Sequence, residues 1–430
     1  MVKDGGKLVV LGGGESGVGA AVLGKQQGWK VQLTDNGIIK DRYKDVLSQF
    51  DIPFEEGKHS EEALSGADLV VKSPGIPEKA PPVVAFRAQG VAVISEIELA
   101  GYYSRATMIG ITGSNGKTTT TLLLHHILQK AGLDVGLAGN VGQSLAMQVA
   151  EGDRDYFVVE LSSFQLDGMT RFKADIAILL NITPDHLDRY ENQMALYVQS
   201  KFRIAQNQTA ADAFIYCADD PVITGELQHR QLNARHFPFS IQDKLTKGAY
   251  LDEDDNIIYT DQNQPHSMSI LELALQGKHN IYNTMAAGIA ARILEIRKEI
   301  IRDSMSDFQN IEHRLEYITT VHGIRFINDS KATNVNSTWY ALETVSAPVI
   351  WILGGVDKGN DYSSLVGMAE DKVKAIICLG RDNDKIREAF QDRIDMILEA
   401  GSMAQAVGFS YQLGSKGDTV LLSPACASFD

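Results

Sequence analysis

The 430-residue sequence predicts an α/β protein of three domains, each built on a largely parallel sheet. Three observations predict it. Short β-branched runs alternate with amphipathic stretches along the whole chain, the pattern of βαβ units whose sheets are covered on both faces. Twice an apolar strand breaks into glycines and then opens a helix, at 7–27 and at 108–130. The pattern also restarts, which divides the chain into 1–95, 96–310 and 311–430.

In order, the first strand covers 7–11, a glycine loop 12–19, a helix 20–27 and a second strand 30–33 that ends at Asp35. Strands at 69–71 and 91–94 continue the first domain. The second opens with a strand at 108–112, a glycine turn and a helix at 118–130, and adds strands at 156–159 and 176–180. Residues 248–265, rich in Asp, Asn and Gln, read as turns or a hairpin, and a helix follows at 283–296. Strands near 325–327, 349–353, 375–379 and 419–422 build the third domain.

Composition narrows the partners. Forty Lys and Arg against fifty-five Asp and Glu give a net charge of -15, which excludes a broad electrostatic grip on nucleic acid or an anionic membrane. Any anionic ligand must be held locally. Cys217, Cys378 and Cys426 are far apart and form no CxxC pair, so buried thiols are expected rather than disulfides or zinc. Without an apolar run near the ~20 residues of a membrane span, and with a first strand close to Met1, a cytoplasmic protein is expected.

The richest segment is Thr112-Gly113-Ser114-Asn115-Gly116-Lys117-Thr118-Thr119. Glycines let backbone N–H groups approach an anion, and the helix that follows adds its dipole. Lys117 supplies a mobile charge for β- and γ-phosphates, and the Thr118 hydroxyl a magnesium ligand. The spacing is a variant of the common P-loop, because Ile111 stands where its first glycine would be. A plain strand–turn–helix joint would explain the glycines but not the lysine and its threonines. Glu160, at the tip of an apolar strand, and His186, just past the next, are candidate metal ligands at the carboxyl ends of strands. Asp185 and Asp188 could equally cap a following helix. In the first domain Gly12-Gly13-Gly14-Glu15-Ser16-Gly17, with Asp35 at the end of the next strand, fits a Rossmann-like nucleotide or dinucleotide unit, and Ser73 could form a second wall.

Five motifs together resemble the Mur ligases of bacterial cell-wall synthesis. They are the phosphate loop, Glu160 to Leu166, Asn181 to Tyr190, Asn328-Asp329-Ser330-Lys331-Ala332-Thr333-Asn334, and Ser423 to Ser428. The resemblance runs through all three domains in the family's order, and the absence of an Asp-Asn-Pro-Arg signature favours its D-glutamate-adding member. It implies ATP and two magnesium ions as cofactors, and UDP-N-acetylmuramoyl-L-alanine and D-glutamate as substrates, in a monomer acting in peptidoglycan synthesis. Lys117, Glu160, His186 and Lys201 would be catalytic, Gly113 to Thr119, Asn280, Asn283, Arg314 and Asp329 would hold ATP, and Thr118, Glu160, His186 and Lys201 the metal. Lys201 resembles a lysine that the family carries as a carbamate, although by its pattern alone it is a surface lysine of a helix. Gly14, Glu15, Ser16, Gly17, Asp35, Asn36, Ser73 and Asn140 would contact the UDP-linked substrate. Lys331, Thr333, Lys358, Ser428 and Phe429 would surround the incoming amino acid.

The implied chemistry is attack of a carboxylate on the γ-phosphate of ATP, followed by attack of an amine on the acyl phosphate. Because three ligands must meet, the third domain is expected to swing. The sequence ends at Asp430, where the family continues with a covering segment. A shortened third domain with Val420 to Leu422 exposed and reduced activity is therefore expected. A folylpolyglutamate synthase lacks the first glycine loop, a non-catalytic nucleotide switch has no need of Glu160, His186 and Lys201 together, and an NAD-dependent dehydrogenase is what the first loop alone would suggest.

Overall fold

A computed structural model describes residues 5–260, 266–275, 277–308, 315–356, 360–380 and 383–426. Three α/β domains each form around one sheet. The first sheet contains β1 (Lys7–Leu11), β2 (Lys30–Thr34), β3 (Phe54–Glu55), β4 (Leu69–Lys72) and β5 (Ala92–Ile94), all parallel in the order β3-β2-β1-β4-β5. Val9, Val10, Val70 and Val71 are fully buried, which is why these strands read as unbroken apolar runs rather than alternating ones.

The second sheet contains β6 (Thr107–Thr112), β7 (Val135–Gly139), β8 (Tyr156–Glu160), β9 (Ile176–Leu179), β10 (Ala213–Cys217), β11 (Arg235–Ser240), β12 (Gly248–Leu251), β13 (Asn256–Thr260) and β14 (His266–Ser269). Its order is β14-β13-β12-β11-β10-β9-β6-β8-β7, parallel from β7 to β12 and antiparallel at β13 and β14. The polar stretch 248–265 thus begins as the expected hairpin. The third sheet contains β15 (Glu316–Val321), β16 (Ile324–Asn328), β17 (Val349–Leu353), β18 (Val373–Leu379), β19 (Ile397–Ala400) and β20 (Thr419–Leu422), in the order β15-β16-β20-β17-β18-β19 with only β15 antiparallel.

The chain groups into two compact units. One comprises Met1–Ile182, Arg189–Glu272 and Tyr282–Met305 and carries the first two sheets; the other comprises Thr183–Asp188, Leu273–Ile281 and Ser306–Asp430 and carries the third. Within the first unit, helix Glu15–Gln26 packs on helix Leu145–Glu151 so closely that a Cβ on Gly19 would lie 1.9 Å from Ser144 Oγ.

Two expectations are corrected. The first glycine loop is not eight residues long: the helix begins at Glu15, and Gly17 lies inside it, where glycine is needed because a Cβ would meet Gly12 O at 1.9 Å. Nor are Val420 to Leu422 left bare. β20 is interior, with Leu421 in an apolar cluster with Trp351 and Phe390 on one face, and Val420 in a second cluster with Ile350, Ile377 and Ala406 on the other. The three cysteines are buried free thiols, as expected. Among the described residues no helix is long and apolar enough to cross a membrane.

Candidate active site

β6 lies between β8 and β9 in the second sheet, and the turn at its carboxyl end is the predicted phosphate loop. Gly116 ends that turn with φ +81°, a left-handed conformation, and a Cβ there would lie 2.3 Å from Asn283 Oδ1. Both constraints demand glycine. Helix Lys117–Lys130 starts immediately, so its first-turn N–H groups, which have no partner inside the helix, crown the turn. Lys117 folds back, donating to Gly113 O (3.0 Å) and Ser114 O (2.8 Å). Thr118 and Thr119 are buried beneath.

The register of β8 against β6 places Glu160 beside Ile111, and that of β7 against β8 places Gly139 beside Glu160. Glu160 is 1% exposed. Its Oε1 accepts from Asn140 Nδ2 (2.8 Å), whereas Oε2 is buried with no hydrogen-bond partner. A carboxylate oxygen enclosed in that way is costly unless a cation meets it.

Lys201 is not the surface lysine its pattern describes. It is 2% exposed, donating to Gly113 O (2.8 Å) and Thr112 Oγ1 (3.2 Å), with its ammonium 5.2 Å from the centre of the Tyr197 ring. Lys117 and Lys201 therefore share one carbonyl oxygen of the phosphate loop. Helix Met194–Phe202 is held there by Ser200 Oγ, which donates to Ser163 O (2.9 Å) and lies 3.2 Å from the hydroxyl of Tyr190, itself hydrogen-bonded to Asp167 (2.8 Å). Burial, and then the Asp167 charge, keep that phenol protonated by pushing its pKa up.

Sequence reasoning gave no role to Asn181 or Tyr197. Asn181 exchanges two hydrogen bonds with the Asn115 backbone, and Tyr197 OH shares one with Ser114 Oγ (3.1 Å). Asn181 stood in a quoted motif, but nothing in that motif shows that it faces the glycine turn. Asn283 braces the loop, accepting from Thr120 Oγ1 (3.2 Å).

In the first domain the structure gathers Gly14, Glu15, Ser16, Asp35, Asn36 and Ser73 around a cavity of about 970 Å³ at the carboxyl ends of β1, β2 and β4. This is the switch point of the sheet, where β1 has neighbours entered from opposite directions. Asp35 closes the loop, accepting from Gly13 N (2.6 Å) and Gly37 N (2.7 Å). Ser73 Oγ is buried without a partner on the cavity wall, and Gly17 stands behind the wall. The sequence did not reveal His59, whose Nδ1 is 2.8 Å from Thr34 Oγ1, or the apolar side formed by Ile76, Pro77 and Ala85.

In the second unit, His186 has φ +53° and lies with Nε2 3.5 Å from Asp185. Neither Asp185 nor Asp188 caps helix Met194–Phe202, which starts after Gln193. Asn280 is 9% exposed. Asp329 is buried, accepting from Leu315 N (3.2 Å) and Ser423 Oγ (3.0 Å), so its carboxylate joins the ends of β16 and β20. Lys331 and Thr333 are exposed on the loop after β16, which Ala425 N reaches through Ala332 O (2.9 Å). Arg314, Lys358, Ser428 and Phe429 lie outside the described residues.

The residues fit a magnesium nucleotide. Among the described residues no three His, Cys, Asp or Glu side chains are gathered to hold a metal by themselves. A site with one carboxylate oxygen in want of a cation beside a phosphate loop suits an ion that takes its other ligands from substrate phosphates and water.

Fold and loop together define a P-loop α/β protein with a second cavity beside a glycine loop in its first domain. Family models match in the same order: a Mur ligase MurD-like N-terminal domain at residues 6–95, a Mur ligase middle domain at 111–291, and a Mur ligase glutamate ligase domain at 313–426. Similar proteins include those of Christiangramia forsetii, 54% identical across 99% of this chain and 95% of the relative, and Chlorobaculum parvum, 39% identical across 98% and 93%. Each is named UDP-N-acetylmuramoylalanine–D-glutamate ligase. Solved structures of similar fold include UDP-N-acetylmuramate–alanine ligase MurC from Thermotoga maritima, with a TM-score of 0.64, 16% identity and coverage of 98% and 96%. MurF from Acinetobacter baumannii gives a TM-score of 0.64 at 17% identity, covering 97% and 90%. The chain belongs to the Mur ligase family.

Proposed function

We propose that the protein joins D-glutamate to UDP-N-acetylmuramoyl-L-alanine at the expense of ATP, in cytoplasmic peptidoglycan precursor synthesis. The single observation that carries the chemistry is the glycine turn with Lys117 beside buried Glu160, whose Oε2 has no partner. The relatives' shared name supplies the substrates.

In this reading the cavity of the first domain takes the UDP moiety, with Asp35, Asn36 and Ser73 as its polar contacts, and Asn140 faces the alanyl end. The turn and Lys117 hold the β- and γ-phosphates. Thr118, Glu160, Lys201 as a carbamate, and His186 would hold magnesium at two sites, and the metal would supply neutralisation of charge on the phosphoryl group. Asn280, Asn283, Arg314 and Asp329 serve ATP, and Lys331, Thr333, Lys358, Ser428 and Phe429 the amino acid. The alanyl carboxylate attacks the γ-phosphorus, the bond to the bridging oxygen breaks and ADP leaves. The D-glutamate amine then attacks the acyl carbon of the acyl phosphate, loses a proton and expels phosphate. Domain boundaries of 1–95, 96–310 and 311–430 put the UDP contacts in the first domain, most ATP contacts in the second and the amino-acid contacts in the third, with Arg314 and Asp329 reaching ATP from the third.

The test is ADP release with UDP-N-acetylmuramoyl-L-alanine and a panel of D-glutamate, L-lysine, diaminopimelate and L-alanine. Release confined to D-glutamate is expected; release with another amino acid alone moves the chain to a sibling activity. A carbamate on Lys201 predicts a ¹³C resonance from labelled bicarbonate that Lys201→Ala lacks.

A further inference from the structure

Asn181 follows β9 at the point where the ladder between β9 and β6 runs out. The last regular pair is Thr112 with Leu179. Beyond it Leu180 N donates to Thr112 O (3.0 Å), and Ser114 N to Asn181 O (2.9 Å). The side chain then continues the pairing: Oδ1 accepts from Asn115 N (2.8 Å), and Nδ2 donates to Asn115 O (3.1 Å). One carboxamide thus does for Asn115 what a further strand residue would do, satisfying both backbone polar groups of a single loop residue.

Two consequences follow for an anion at the turn. The Asn115 amide is committed toward β9 and is therefore not among the donors the turn offers an anion. The turn is also fixed at two adjacent residues, by Asn181 at Asn115 and by the close approach of Asn283 to left-handed Gly116, and a preorganised loop binds without the cost of ordering.

We infer that Asn181 is a positioning residue for nucleotide binding, fixing the phosphate loop by clamping the Asn115 backbone; the inference rests on the ATP reading above. The carboxamide is needed as a donor and an acceptor together. Asn181→Asp keeps size and shape but sets a carboxylate oxygen against Asn115 O. Protonated at low pH, it regains a donor.

Calorimetry with MgADP, and separately with UDP, tests this on the unaltered protein, Asn181→Asp and Asn181→Ala. At pH 8 both variants should bind MgADP about ten-fold or more weakly, the scale of a lost hydrogen bond that leaves its partner unpaired. UDP affinity should be unchanged. At pH 5 the deficit of Asn181→Asp relative to the unaltered protein should shrink while that of Asn181→Ala stays. Variants that bind MgADP normally at pH 8 overturn the inference, as do variants that lose UDP and MgADP equally, which would mark general destabilisation. No MgADP binding by the unaltered protein removes the ATP reading itself.

Discussion

The carboxylate of Glu160 closes the end of β8 with one oxygen bound to Asn140 and the other enclosed without a partner. In the absence of a cation this arrangement works against folding, so its reason must be chemical. Glu160→Gln should lower kcat by roughly 100-fold or more, the few kcal/mol that a metal contributes to phosphoryl transfer. The melting temperature should hold or rise. A large drop in melting temperature with kcat retained would make Glu160 structural instead. Lys201 shows where a pattern misleads: it sits at the end of a half-apolar helix and reads as solvated, yet Ser163, Tyr190 and Tyr197, distant in sequence from the glycine turn, turn it inward. No local spacing encodes that.

Among elements, helix Glu96–Tyr103 joins the first sheet to the second and carries a buried acid at its start. Glu96 is 1% exposed; its Oε2 accepts from Ala146 N (3.0 Å) and Oε1 has no partner. Burial raises its pKa from 4.5 to about 7. Between those values the folded chain holds a proton that the unfolded chain has released, so stability falls as pH rises through that window, and above it the whole penalty stands. Glu96→Gln keeps the bond to Ala146 and removes the charge. Thermal unfolding at pH 8 should then show stabilisation of about 3 kcal/mol, with little change near pH 4.5. Equal shifts at both pH values would rule out titration as the cause. The glycine turn is the other element under strict constraint. Gly116→Ala places a Cβ in a left-handed residue and against Asn283, so MgADP binding should fall well before the fold is lost.

Across the molecule, the cavity proposed for UDP and the glycine turn proposed for ATP stand on separate sheets of the first compact unit. Lys117→Ala should therefore abolish MgATP binding in calorimetry and leave UDP binding intact; loss of both with an unchanged melting temperature would show that they are one site. NADH should not titrate the first domain if UDP is its ligand. The sequence by itself determined the strands that carry the glycine loops and Glu160, the glycine turn and the order of three α/β domains, because those features are local: apolar runs, a turn that only glycine tolerates, a lysine and threonines opening a helix; it missed β3, β7, β10, β11, β15 and β19. The tertiary structure alone decided that Lys201 and Asn181 converge on that turn, that Glu160 keeps an unmet oxygen, and that β20, last of the described strands, lies inside its sheet rather than at an edge. Parallel sheets place strands side by side regardless of their distance along the chain, so which side chains meet at their ends is fixed by strand order, and strand order is set by packing of the whole rather than by any short stretch.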